Sequence, residues 1–280
     1  KFIKLKCHLE KLLNTYMKIK QSKLLATIII VNYNNAKFIS RCINSAVKQT
    51  YKKIEIIFVD DRSTDNSLSE INKFKKKIKL IRNKKKFNIG AYDQMKSYYK
   101  GIKKAKGDII FFLDSDDFFV KEKVETTIKY FKKYNLKISF DLPYLYFNKK
   151  KYSKLKFSNR GTILTPWPKF TCQSCIAAKK KYLFKIINKI YFNKFPNIWF
   201  DFRLALKSYE DFNNLFIIKK YLTYYQQSNA SVSSKFEKYS KNWWKRRGEA
   251  HDYVERIFKK KKKFIGIDKG FTKFITFLLK

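Results

Sequence analysis

The stretch GDIIFFLDSDDFF, Gly107 to Phe119, decides how the chain is read. Ile109 to Leu113 form a bulky apolar run without alternation, which marks a strand buried on both faces. The run ends abruptly in Asp114, Ser115, Asp116 and Asp117. Crowded carboxylates repel one another, and these stand in a chain whose formal net charge is +43. A divalent cation among them would relieve the repulsion.

The same pattern recurs upstream. Leu24 to Val31, LLATIIIV, is a continuous apolar run rich in β-branched residues, followed by a polar turn, NYNNAKF, and a helical segment, SRCINSAVKQT. Lys53 to Val59, KIEIIFV, reads as a second buried strand ending in Asp60 and Asp61. RSTDNS then supplies N-caps for a helix through Phe74. KIKLIRN reads as a third strand, and NIGAYDQMKSYYKGIKKAKG as a helix ended by Gly107. KEKVETTIKYFKKY is a helix after the fourth strand. Buried strands alternating with helices predict an α/β fold: a mostly parallel sheet flanked by helices, with right-handed crossovers.

Beyond Leu136 the signal weakens. LKISFDLPYLYF reads as one or two strands interrupted at Pro143, and SNRGTILTPWPKF as a loop. AAKKKYLFKIINKI and WFDFRLALKSYEDF read as helices, NLFIIKKYLTYYQQ as a strand, and the tail from Ser233 as a charged helical segment. At the other end, Phe2, Leu5, Leu9, Leu12, Leu13 and Tyr16 share one face of a basic amphipathic helix. Such a helix either packs on the domain or lies on an anionic membrane surface.

Composition narrows the class. A hydrophobic fraction of 45% supports a sizeable core. The positive charge is nearly all Lys and is spread along the chain, which argues against a nucleic-acid-binding protein. It has two readings, a bias of composition and attraction to an anionic partner. Of Cys7, Cys42, Cys172 and Cys175, only the last two are close, as CQSC; without a second pair this is a poor zinc signature, and reduced thiols in a cytoplasmic protein are expected. No apolar run reaches the length of a membrane span. The chain starts without Met and stops within FITFLLK, so a fragment of a longer protein is expected.

In a parallel sheet the carboxyl ends of the strands share one edge, where ligands bind. Asn32, Tyr33 and Asn34 follow the first strand, Asp60 and Asp61 the second, and Asp114, Asp116 and Asp117 the fourth. Asp114 and Asp116 fall on one side if strand geometry continues through them. Hard cations such as Mg²⁺ or Mn²⁺ suit these oxygens, and Asp116 or Asp117 could otherwise cap the next helix. Tyr33 is a platform for a flat base, and Asp60 or Asp61 an acceptor for a base N–H or a ribose hydroxyl. Neither common glycine-rich phosphate cradle, GxGxxG or GxxxxGK[ST], is present.

ATIIIVNYNNAKFISRCINSAVKQTYKKIEIIFVDDRSTDNS, then NIG, then AKGDIIFFLDSDD, resembles the family-2 glycosyltransferases of GT-A fold over roughly Ala26 to Val120. The resemblance implies an inverting enzyme that uses a nucleotide-diphosphate sugar with Mg²⁺ or Mn²⁺ and a saccharide or lipid-linked acceptor. It implies that Tyr33 stacks on the base, Asp61 binds it, Asp114 holds ribose or metal, and Asp116 ligates the metal, with Asp117 as substitute. Arg62 stands where the family usually has Gly. Lys100 or Lys103 would replace an Arg near the diphosphate. NIWFDFRLAL supplies Asp201 as the general base, with Glu210 and Asp211 as fallbacks, and His251 is the candidate for a C-terminal metal ligand. Trp243 and Trp244 either line a sugar site or belong to the core.

The expected organisation is an N-terminal extension, 1–23, then a GT-A catalytic domain, 24–235, divided into a nucleotide-sugar-binding half, 24–147, and an acceptor half, 148–235. A helical basic segment, 236–280, completes it. The expected activity is inverting glycosyl transfer in cell-surface polysaccharide or glycolipid synthesis. A nucleotidyltransferase of related architecture, or a non-catalytic nucleic-acid-binding protein, is the alternative. The expected location is cytoplasmic, with peripheral contact at the inner face of the plasma membrane.

Overall fold

A computed structural model describes residues 24–84, 87, 89–147, 150–152, 167, 172–227, 237–258 and 268–279. The N-terminal extension and most of the loop around SNRGTILTPWPKF lie outside these residues. The first half alternates as its apolar runs predict: β1 (Ala26–Asn32), α1 (Ala36–Val47), β2 (Ile54–Asp60), α2 (Ser67–Asn72), β3 (Lys79–Arg82), α3 (Gly90–Lys104), β4 (Ile109–Asp114). A short β5 (Phe118–Phe119) and α4 (Lys123–Tyr134) follow.

The second half is less regular. It contains β6 (Ile138–Phe147), β7 (Lys150–Tyr152), a 3-10 turn (Gln173–Cys175), β8 (Ile176–Lys179), α5 (Lys180–Ile186), α6 (Phe200–Phe212), β9 (Ile217–Gln226), α7 (Lys241–Ile257) and α8 (Asp268–Leu278). One sheet runs β3-β2-β1-β4-β8-β6-β9-β5, with β7 beside β6. The β3-β2-β1-β4 portion is parallel, whereas β8 is antiparallel to both β4 and β6.

Helices cover both faces of the sheet. Ile29 and Val31 of β1 pack with Met95, Tyr98 and Ile102 of α3 and with Leu204 of α6. Ile28 and Ile30 pack on the other face, against Ile39 and Ile43 of α1 and Val124 and Ile128 of α4. Burial on both faces is why these strands show no alternation. A smaller cluster joins Leu206 of α6 to Tyr253 and Val254 of α7.

Three expectations are corrected. Gly107 does not cap α3 in a left-handed turn; the helix ends at Lys104 and Ala105 is extended. Gly107 is required instead by a close approach, because a Cβ there would lie 2.5 Å from Thr27 Oγ1. Pro143 does not interrupt β6; it sits where the β6–β9 register shifts, at a site that tolerates a missing N–H. Ala177 and Ala178 belong to β8, not to the following helix, since they pair with β4 and β6.

Candidate active site

The strand order places β1 between β2 and β4, and reverses direction there. The carboxyl edge at such a point opens a crevice. Register sets the rim level: Asn32 pairs with Asp60, Asp60 with Arg82, and Val31 with Asp114.

On the β1–β2 side the polar residues divide into braces and presented groups. Asp60 is fully buried. Its Oδ1 accepts Asn32 Nδ2 at 3.1 Å and Ser63 Oγ at 2.6 Å, and its Oδ2 accepts the Ser63 N–H at 3.2 Å. Asp60 therefore fixes the turn after β2. Asn32, also fully buried, joins this brace through Ser63 at 2.9 Å. Asn34, at φ 52°, accepts the Thr64 N–H at 2.8 Å through Oδ1 and ties the two rim loops together. Tyr33, between them, is 41% exposed. Asp61 accepts Asn83 Nδ2 at 2.8 Å. Arg62 comes next at φ 61°, in the left-handed region that favours glycine.

Lys100 donates to the Arg82 carbonyl at 2.9 Å and to Asn83 Oδ1 at 3.0 Å. It thus joins a Lys100–Asn83–Asp61 chain that secures the end of β3. Lys103 is exposed, its ammonium 4.9 Å from the centre of the Tyr99 ring.

On the β4 side the carboxylates gather. Asp114 Oδ1 accepts Tyr98 OH at 2.7 Å and Gln94 Nε2 at 2.9 Å, both from α3. Its backbone N–H donates to Ser174 Oγ at 2.9 Å, so the 3-10 turn steadies it. Burial, then the charge of Asp116, pushes the Asp114 carboxyl up to about 7; Asp201, from the first turn of α6, also raises it. Burial raises the Asp116 carboxyl, and Arg41 draws it back. Arg41 Nη2 donates to the Asp116 carbonyl at 3.0 Å and to Gln226 Oε1 at 2.6 Å. Asp117 is fully buried, and its Oδ1 accepts the Gln226 N–H at 2.8 Å. Burial pushes Asp201 up to about 6, with Arg246 of α7 acting in the opposite direction. Asp114, Asp116 and Asp201 keep partial solvent access while burial is the main cause of each shift. Each of the three thus stays in reach of solvent at the carboxyl edge.

Residues 27–210 match the model of glycosyl transferase family 2. The chain belongs to this family. The chain is 42% identical over 106 residues to WfaP of Escherichia coli, a UDP-Glc:α-D-GlcNAc-diphosphoundecaprenol β-1,3-glucosyltransferase, covering 38% of this chain and 41% of that one. The chain spans about a third or less of the first curated relatives it matches. Among solved structures it resembles Staphylococcus aureus TarS 1–349 in complex with UDP, with a TM-score of 0.59, 17% identity, and coverage of 90% of this chain and 70% of that one. It also resembles the mannosyltransferase PcManGT of Pyrobaculum calidifontis in complex with GDP-Man and Mn²⁺, with a TM-score of 0.58, 11% identity, and coverage of 92% and 71%. The fold is of GT-A type.

Three site expectations for this family 2 chain meet different surroundings. His251 is buried, with Nε2 3.2 Å from Asp268 Oδ2 and its ring 5.0 Å from that of Trp167. It serves the α7–α8 contact. Arg246, which acts on Asp201, is five residues earlier and hence about 140° around the helix, so His251 turns away from the carboxylates. Glu210 and Asp211 both accept from Lys207, and Asp211 also accepts Tyr182 OH at 2.8 Å. Glu210 lies roughly 14 Å along α6 from Asp201. Trp243 and Trp244 pack edge to face at 4.7 Å, and Trp244 meets Phe271 at 5.7 Å, so they build the helical pair.

Several site residues escaped the sequence reading. Gln94, Tyr98 and Ser174 position Asp114, and Arg41 grips the DSD turn. Tyr98 and Gln94 stand four apart on α3, a spacing that could have paired them on one helical face. Cys172 and Cys175 lie with their sulfurs 3.6 Å apart beside Ser174. Among the described residues no three of His, Cys, Asp and Glu gather closely enough to hold a metal ion unaided.

Proposed function

We propose that the chain is an inverting, metal-dependent glycosyltransferase that moves a sugar from a nucleotide-diphosphate donor to an acceptor hydroxyl. The observation that carries this is the approach of Asp201 to Asp114, beside Asp116: a carboxylate from the second half faces the acidic end of β4. Tyr33 stacks on the base and Asp61 accepts from it. Asp114 holds ribose or the ion. The acceptor hydroxyl gives its proton to Asp201 as its oxygen attacks the anomeric carbon opposite the leaving diphosphate, and configuration inverts. A carboxylate base of this kind contributes about 10²- to 10⁴-fold.

The donor set fits a hard cation. Asp116 and Asp114 offer carboxylate oxygens whose mutual repulsion a cation would relieve. Mg²⁺ or Mn²⁺ is the ion class that suits such oxygens. When bound by Asp116 and Asp114, such an ion would supply positive charge against the departing nucleoside diphosphate. The presence of Mn²⁺ in the PcManGT complex supports this choice.

A saccharide or lipid-linked acceptor is supported by the names of relatives, among them the poly(ribitol-phosphate) β-N-acetylglucosaminyltransferase TarS. The division into a donor half, 24–147, and an acceptor half, 148–235, belongs to the same reading. Among the described residues no helix is long and apolar enough to cross a membrane. The charge of +43 supports peripheral attraction to an anionic inner membrane face.

The test is nucleoside diphosphate release from UDP- and GDP-sugars with Mn²⁺. Asp201→Asn should lose about 10²- to 10⁴-fold in turnover and still bind nucleotide. Turnover of Asp201→Asn equal to that of the parent would defeat the assignment.

A further inference from the structure

Lys123 opens α4 and is fully buried, with Asp141 of β6 and Thr223 of β9 buried beside it. Its ammonium donates to Asp141 Oδ2 at 2.6 Å, to Thr223 Oγ1 at 2.6 Å and to the Ser174 carbonyl at 2.7 Å. An ammonium carries three protons, and these acceptors take all of them. Thr223 Oγ1 in turn donates to Asp141 Oδ1 at 2.7 Å, which closes the network.

Two of the three acceptors belong to segments that support the acidic turn after β4. Ser174 Oγ receives the Asp114 N–H at 2.9 Å. At the far end of the turn, the Gln226 N–H of β9 donates to Asp117 Oδ1 at 2.8 Å. Thr223 lies on that same strand. One ammonium therefore holds both the support of Asp114 and the strand that supports Asp117. It does so across 51 residues to Ser174 and 100 to Thr223.

Stability alone is a poor reason for this arrangement. Burying charge is costly, and well-packed apolar residues in place of a buried ion pair are often as stable or more so. Apolar packing would fill the same space, but it is non-directional, whereas hydrogen bonds fix the angle at which each segment is held. We propose that Lys123, with Asp141 and Thr223, is a positioning residue: it sets the spacing of the Asp114–Asp117 turn for the divalent cation shared with the donor diphosphate. This rests on the glycosyl-transfer reading above. Groups that orient a metal ligand from behind typically contribute about tenfold to a hundredfold in metal affinity.

The experiment compares the full chain with Lys123→Met/Asp141→Val/Thr223→Val, which replaces the polar network with apolar side chains. Urea unfolding is measured, together with UDP and GDP binding without Mn²⁺ and over a series of Mn²⁺ concentrations. The triple variant should unfold cooperatively and keep its Mn²⁺-free nucleotide affinity, which Tyr33 and Asp61 supply from the β1–β2 side. Its Mn²⁺ affinity in the presence of nucleotide should fall about tenfold to a hundredfold, and kcat/KM for the sugar donor with it. A merely structural network would shift the unfolding midpoint and leave the Mn²⁺ affinity of the folded protein unchanged, and that result would overturn the proposal. Should the triple variant fail to fold, Thr223→Val decides, because it keeps the ion pair and removes one of the three bonds. It should lose about fivefold in Mn²⁺ affinity, and Thr223→Ser should restore it. Unchanged Mn²⁺ affinity in Thr223→Val would overturn the proposal equally. Failure of the parent chain itself to bind UDP or GDP with Mn²⁺ would remove the glycosyl-transfer reading, and this inference with it.

Discussion

Tyr98, fully buried on α3, donates its hydroxyl to Asp114 Oδ1 at 2.7 Å, the oxygen that also receives Gln94. This bond favours the ionised carboxylate, against burial and the nearby Asp116 charge that raise it. The balance leaves Asp114 titrating at about 7 and Asp201 at about 6, both above the ordinary value of 3.8.

Raised acids bind protons more tightly in the folded state than in the unfolded chain. Their contribution to stability is thus present below the unfolded value and is lost as pH rises through the folded one. The melting temperature of the metal-free protein should fall from about pH 5 to about pH 8, and Mn²⁺ with UDP or GDP should restore part of it. Asp114→Asn should flatten the slope, and Tyr98→Phe should move the Asp114 step to higher pH. Thermal melts across this range check all four, and a slope that Asp114→Asn leaves unchanged would refute the assignment.

Arg203 is a second point of leverage. It is fully buried, and its guanidinium donates to the carbonyls of Ile198, Ile190, Tyr191, Lys194 and Phe195 at 2.5 to 3.1 Å. Tyr191 and Phe195 have positive φ, at 51° and 57°, so the loop leading to Asp201 is held in a shape it would not adopt alone. Arg203→Lys would leave several of these carbonyls unpaired, because an ammonium lacks the planar fork. Urea unfolding should show a loss of about 2–4 kcal/mol. A loss below about 0.5 kcal/mol would show that the loop orders itself.

Arg62 offers the opposite sign. An exposed non-glycine residue at φ 61° carries a left-handed penalty, and its guanidinium reaches the Lys84 carbonyl at 3.3 Å. Arg62→Gly should stabilise the protein by about 0.5–1 kcal/mol in chemical denaturation. Destabilisation of similar size would mean that the Lys84 contact outweighs the backbone relief.

The parallel core and the acidic rim at its carboxyl edge were legible in the sequence, because both depend on short-range signals. Ile109 to Leu113 read as buried on both faces from their composition, and a parallel strand must deliver the residues after it to the shared edge. The antiparallel insertion of β8 and the bulge near Pro143 were not legible, since two alanines and a proline carry little directional information. The roles of the rim residues depended on partners far away in the chain. Asp60 and Asp61 are adjacent and chemically identical, yet Ser63 and Asn32 occupy one while Asn83 meets the other. His251 turned to Asp268 because α7 packs that face on α8. Local pattern fixes which groups reach an edge; which of them remains available there is decided by hydrogen bonds between segments that only tertiary packing brings into contact.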